Sequence, residues 1–186
     1  MSTLTRLTGA DFDSIVDRGA FHDLGPMKIE LIHGKLKFMN PAGPIHDDYI
    51  DYLTEWSYDV TDREFCRVRV QCGIMCDDHR PEPDVAWLRP GRYGSRRPSA
   101  ADVKLLIEVA ESSLSTDLLV KGDLYAAAGI VAYWIVDIAS RRIHVMSNIN
   151  EGRYQSIEIH LPPHSLAPQC RPDGFLSLDQ LFVSSV

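Results

Sequence analysis

Val103-Lys-Leu-Leu-Ile-Glu-Val-Ala110 is the stretch on which the fold turns. Its apolar residues do not alternate with polar ones. That pattern predicts a strand buried on both faces, inside a sheet covered from two sides. Glu108 stands in the middle of it. An ionised carboxylate in such a strand is costly unless it is paired or holds a cation.

Upstream, Asp84 to Leu88 predicts a short strand following Pro81-Glu-Pro-Asp84. Before it, Phe65 to Met75 alternates, with Cys66, Val68, Val70, Cys72 and Ile74 on one face and Arg67, Arg69 and Gln71 on the other. Apolar Tyr49, Ile50, Leu53, Trp56 and Val60 fall at helical spacing from His46 to Val60. Alternating segments on both sides of His33-Gly34 predict an N-terminal hairpin, and Asn40 to Pro44 a loop. Thr8 and Asp11 read as a capping box for a short helix that Gly19 ends.

Downstream, Ser115 or Thr116 caps a helix running to Ala128, where Gly129 stops it. Tyr133 to Ile138 is a second buried strand, with Asp137 capping a turn at its end. Arg142 to Met146 and Tyr154 to His160 predict a C-terminal β-meander. Residues 162–172 read as irregular, and about the last dozen as weakly structured. The order of elements predicts a three-layer α/β fold. A mixed central sheet from 66–74, 84–88, 104–110 and 133–138 is flanked by helices 46–60 and 116–128. With 186 residues the chain reads as one domain, 1–186, its core about 28–147.

Hydrophobic residues at 45% and charged residues at 24% allow a buried core without staples. The N-terminus lacks the apolar segment of a signal peptide, and no run is long enough to span a membrane. The four cysteines form no CxxC pair, so zinc is not expected; reduced thiols and a cytoplasmic protein are. The net charge is −7, yet residues 63–104 carry nine bases and six acids, net +3. Arg89, Arg92, Arg96 and Arg97 crowd one loop, either as a solvated surface or as phosphate contacts.

Two adjacent strands could bring Asp84 and Glu108 together, and a divalent cation would relieve their repulsion. Hard oxygen ligands favour Mg²⁺. Lys121 would reach this site if its helix face packs over the strands, where a cation can stabilise charge on a phosphate. The plainer alternative has Glu108 in a buried salt bridge with Lys121 or an arginine, Asp84 capping a turn, and Asp117 and Lys121 forming a surface i, i+4 pair. Tyr125, Tyr133 and Trp134 read as core rather than as base-stacking platforms.

Ile29-Glu-Leu-Ile-His-Gly-Lys35, Pro81-Glu-Pro-Asp-Val85, Leu106-Ile-Glu-Val-Ala110, Lys121 through Gly129, and Tyr133-Trp-Ile-Val-Asp137 together resemble the Uma-type family of restriction endonucleases, a branch of the PD-(D/E)XK superfamily. The resemblance implies a restriction-endonuclease-like fold and Mg²⁺-dependent hydrolysis of DNA, with Mn²⁺ as a substitute. Asp84 and Glu108 would be metal ligands, with the Val109 carbonyl a third. The superfamily's usual lysine position is Ala110 here, and Lys121 on the following helix is the matching residue, with Asp117 orienting it. Glu30 matches a family glutamate; it would join the site or pair with Lys37 across the hairpin. His46 matches a recurrent position and is either catalytic or a helix-capping or surface histidine. A homodimer follows by analogy alone. The rival expectations are a catalytically weak module binding nucleic acid or a protein partner, and a structural protein in which Glu108 only pairs with Lys121.

Overall fold

The computed structural model describes residues 6–25 and 27–183. In chain order the elements are α1 (Gly9–Asp17), β1 (Lys28–Ile32), β2 (Lys35–Met39), α2 (Pro44–Val60), β3 (Arg67–Val70), β4 (Val85–Leu88), β5 (Val103–Ala110), α3 (Gly122–Ala127), β6 (Tyr133–Asp137), β7 (Arg142–Asn150), β8 (Arg153–His160), β9 (Ser165–Leu166), β10 (Leu176–Ser177) and α4 (Leu178–Leu181). The main sheet has six strands in the order β3-β4-β5-β6-β7-β8. Every neighbouring pair is antiparallel except β5 and β6. That parallel pair needs a crossover, and α3 supplies it. β1 and β2 pair as the expected hairpin, with Glu30 opposite Lys37.

Alternate residues of the central strands enter two separate cores. Val85, Trp87, Leu105, Ile107 and Val109 pack toward α2, with Ile50, Leu53 and Trp56. Ala86, Leu88, Leu106 and Ala110 pack toward α3, with Leu124, Tyr125 and Tyr133. The sheet is therefore the middle layer of three. Trp56 stacks on Trp87 and Trp134 at ring distances of 5.1 and 5.8 Å. Both polar indole groups are satisfied: Trp87 Nε1 donates to Ser57 Oγ and Trp56 Nε1 to the Phe175 carbonyl.

Three expectations need correction. β3 stops at Val70 rather than running to Met75, because Gln71 adopts φ +46° and turns the chain out of the ladder. Ile74 and Cys76 consequently join the α3-side core, while Val68 and Val70 face α2. The helix expected over 116–128 is π-helical from Thr116 to Lys121 before α3 begins. The C-terminal stretch is ordered through Val183, and Leu176, Leu178, Leu181 and Phe182 are buried in the α2-side core. Its elements are two and four residues long, too short to show a period in sequence. Residues 184–186 lie outside the described range. Among the described residues no helix is long and apolar enough to cross a membrane.

Candidate active site

The register of the sheet builds the site. Val70 faces Val85, and Val85 faces Ile107. One step further along each strand, Gln71, Asp84 and Glu108 fall in a row across three adjacent strands. The Gln71 N–H, donating to the Asp84 carbonyl at 2.9 Å, fixes the first of these pairings. By the alternation of β4 and β5 the side chains of Asp84 and Glu108 lie on the α3 face, and Gln71, past the end of β3, lines the same cleft. That cleft, of about 610 Å³, is also lined by Lys28, Glu30, His46, Glu82, Val109, Asp117 and Lys121. Proline on both sides of Glu82 keeps the chain extended as it enters β4.

Lys121 sits at the centre of three buried carboxylates. Its Nζ lies 2.8 Å from Glu108 Oε1, 3.1 Å from Glu30 Oε1 and 3.9 Å from Asp117 Oδ1. The π-helical turn ends at Lys121, and such turns recur at functional sites. Tyr125 Oη donates to Glu108 Oε1 at 2.8 Å. Tyr133 Oη donates to the Asp117 carbonyl. Both rings are fully buried, as core residues. Burial pushes the Glu108 carboxyl up; Lys121 opposes this and Asp84 adds to it. Burial would strip Lys121 of its proton, but Glu108, Glu30 and Asp117 outweigh it and hold the ammonium charged.

Asp84 is set by a second group of partners. Its Oδ1 pairs with Lys28 Nζ at 3.0 Å, and its Oδ2 accepts from the Val109 N–H at 2.9 Å. His46 Nε2 lies 3.4 Å from the same Oδ2. Burial works to raise the Asp84 carboxyl. The His46 ring, the Lys28 charge and the Val109 N–H overcome it and hold the group well below the usual carboxylate range. Asp84 in turn raises the His46 ring above its ordinary value, against burial.

The expected residues Asp84, Glu108, Lys121, Glu30, His46 and Val109 thus share one cleft. Glu30 is opposite Lys37 in the backbone ladder, yet its side chain turns to Lys121 and accepts the Glu82 N–H. The helix N-cap is Gly43, so His46 does not cap α2. Lys28, Glu82 and Gln71 are cleft residues that sequence reasoning passed over. Lys28 is 56 positions from Asp84, a distance over which no local pattern reports. The signal for Gln71 was its place on the arginine face of the alternating run.

The four loop arginines divide. Arg97 pairs with Asp13 at 3.1 Å and lies over the Phe12 ring, and Arg96 pairs with Asp102 at 3.0 Å. Arg89 and Arg92 are exposed and form no ion pair among the described residues.

The donor set can be tested against a hard divalent cation. Among the described residues no three His, Cys, Asp or Glu side chains stand as a ligand group. Two carboxylates opposite each other in register and a backbone carbonyl are, however, the oxygen donors such an ion takes alongside water. The second oxygen of Glu30 is buried with no partner, which leaves one unused acceptor beside the cleft. The residues present fit Mg²⁺.

Comparison with known proteins gives the family and the fold. The model of the Uma2 family, described as "Putative restriction endonuclease", matches residues 19–179. The crystal structure of a "putative nuclease belonging to DUF820" from Anabaena variabilis superposes with a TM-score of 0.70. It is 18% identical and the match covers 95% of this chain and 97% of that one, so it shows the shared fold. No curated protein matches. With a family match over residues 19–179, nearly its whole length, the chain belongs to the Uma2 family of restriction-endonuclease-like proteins.

Proposed function

We propose that the cleft hydrolyses phosphodiester bonds of DNA with Mg²⁺ as cofactor, Mn²⁺ substituting. The observation that carries this reading is Asp84 facing Glu108 across two strands, with Lys121 at 2.8 Å from Glu108. Asp84, Glu108 and the Val109 carbonyl would hold the ion. When bound, it lowers the pKa of a coordinated water and offsets phosphate charge. The other roles belong to the chain. Lys121 stays protonated in its ring of carboxylates, turns one oxygen of Glu108 toward itself and presents a fixed cation to a phosphate. Tyr125 fixes the same Glu108 oxygen, so the carboxylate cannot rotate freely. Lys28 and His46 clamp Asp84 and place further positive charge in the cleft. A superfamily lysine at position 110 would enter the α3-side core, where Ala110 is buried; Lys121 supplies the cation from the helix.

Cutting both strands of a duplex would need two such clefts, and a homodimer would provide them. The opposing reading is structural: Lys121 is so well paired that it could serve stability alone. Incubation with supercoiled plasmid and Mg²⁺ separates the two. Nicked and linear products should appear, vanish with EDTA, and be absent for Asp84→Ala and Lys121→Met. Intact plasmid in every reaction of the wild-type protein would refute the assignment, and cleavage of RNA alone would move the substrate.

A further inference from the structure

Outside the cleft, a run of arginines without acidic partners among the described residues lies along the free edge of the sheet. β3 is the terminal strand, so its outer side has no strand partner among the described residues. Arg67 and Arg69 alternate onto one face of it, and Gln71, just past its end, lines the cleft that holds Asp84 and Glu108. Strand geometry spaces the Arg67 and Arg69 side chains about 6.6 Å apart.

The edge leads into a groove of about 680 Å³ between the end of α2 and the 89–99 loop. Arg63, Arg67 and Arg92 line it, with the exposed ring of Tyr58. None of these arginines forms an ion pair or side-chain hydrogen bond among the described residues. The one acid lining the groove, Asp62, is occupied by the backbone N–H groups of Glu64 and Phe65. Glu64 is exposed nearby. Midway along the edge, Arg69 and Arg96 both lie over the Tyr93 ring, at 5.7 and 4.8 Å. That stacking holds Arg69 against the surface at low entropic cost. All this occurs in a chain of net charge −7.

We infer that this edge is a phosphate-binding track, running from Gln71 through Arg69 and Arg67 to the groove of Arg63, Arg67 and Arg92, and that it grips the DNA backbone away from the scissile bond. The inference rests on the nuclease reading for its ligand, but it assigns a different set of residues. Three unpaired guanidiniums suit phosphate oxygens, which they meet bidentately, and they carry no base information. Arg96 and Arg97, committed to Asp102 and Asp13, are not among the primary contacts.

The test uses the full chain and a short fluorescein-labelled DNA duplex in EDTA, where cleavage is silent. Anisotropy titrations over a salt series compare wild type with Arg63→Ala/Arg67→Ala/Arg92→Ala. These side chains are exposed, and a thermal melt checks that the variant folds. The affinity should fall roughly tenfold or more, and the slope of log affinity against log salt should shrink by about one per arginine removed. Equal affinities and equal slopes would overturn the track, as would a wild-type protein that does not bind the duplex at low salt. The failure of the nuclease reading looks different. If arginine-dependent binding is found and no metal condition gives cleavage, the track stands and catalysis falls. If plasmid is cut equally well by both proteins at limiting DNA, catalysis stands and the track falls.

Discussion

Lys121 carries the most concentrated electrostatic burden in the molecule. Its removal as Lys121→Met leaves Glu30, Glu108 and Asp117 buried without their common cation. Breaking a buried pair from one side costs about 3–5 kcal/mol, and chemical denaturation should show a loss of that size. Tyr125→Phe is a milder probe: it deletes one hydrogen bond to Glu108 Oε1 and should cost about 1–2 kcal/mol, with the fold kept and cleavage slowed. Loss of stability without loss of cleavage in Tyr125→Phe would make that hydroxyl structural only. Glu108 was legible in sequence because a charge inside an apolar strand violates its surroundings, whereas Asp84 and Lys121 stood out by their order around it and by the family resemblance. Lys28 was not legible, since a lysine on a hairpin strand violates nothing until Asp84 is brought 3.0 Å away. Glu30 had two readings, and only the packing of Lys121 over the hairpin decides between them.

At the scale of elements, α1 is held to the body by a charge clamp as well as by its short apolar face, where Phe12 clusters with Ile29 and Leu31. Arg80 is buried and its guanidinium meets Asp13 at 2.8 Å, while Arg97 reaches the same carboxylate from the 89–99 loop. Burial tends to raise the Asp13 carboxyl, but Arg80 and Arg97 outweigh it and lower the folded-state value. A carboxyl depressed in the folded state contributes stability that is present above its unfolded pKa, about 3.9, and fades as pH falls through the folded value. Asp13→Asn should therefore cost about 1–3 kcal/mol at neutral pH and less in acid. Parallel urea titrations at neutral and strongly acidic pH would show the two curves converging; a constant gap would contradict the clamp. The C-terminal element makes an independent point. Leu178 is fully buried, so Leu178→Ala should destabilise by about 2–5 kcal/mol, whereas a weakly structured tail would tolerate it. Long periodic elements such as α2 and β5 were readable because their apolar pattern repeats. α4, with four residues, borrows its order from Trp56 and its neighbours and leaves no such trace.

For the whole molecule, the order of helices and strands was enough to give three layers and a mixed sheet. The strand neighbours were not, because pairing is decided by contacts far apart in sequence. Those neighbours turn a list of residues into a site: β3, β4 and β5 lie side by side, so Gln71, Asp84 and Glu108 line up, and the arginine face of β3 becomes an exposed edge running into the cleft. An acidic chain can then offer one basic border to a polyanion while its other surfaces repel it. The central claim is that Asp84 and Glu108 form a cation site. It is tested most directly by titrating Mg²⁺ into the wild-type protein and into Asp84→Ala by calorimetry, with and without a DNA duplex. Saturable binding in the wild type that disappears in Asp84→Ala is the predicted result. No binding by the wild type even with DNA present, or identical isotherms for both proteins, would contradict it and leave Lys121 as the cation the carboxylates were built to hold.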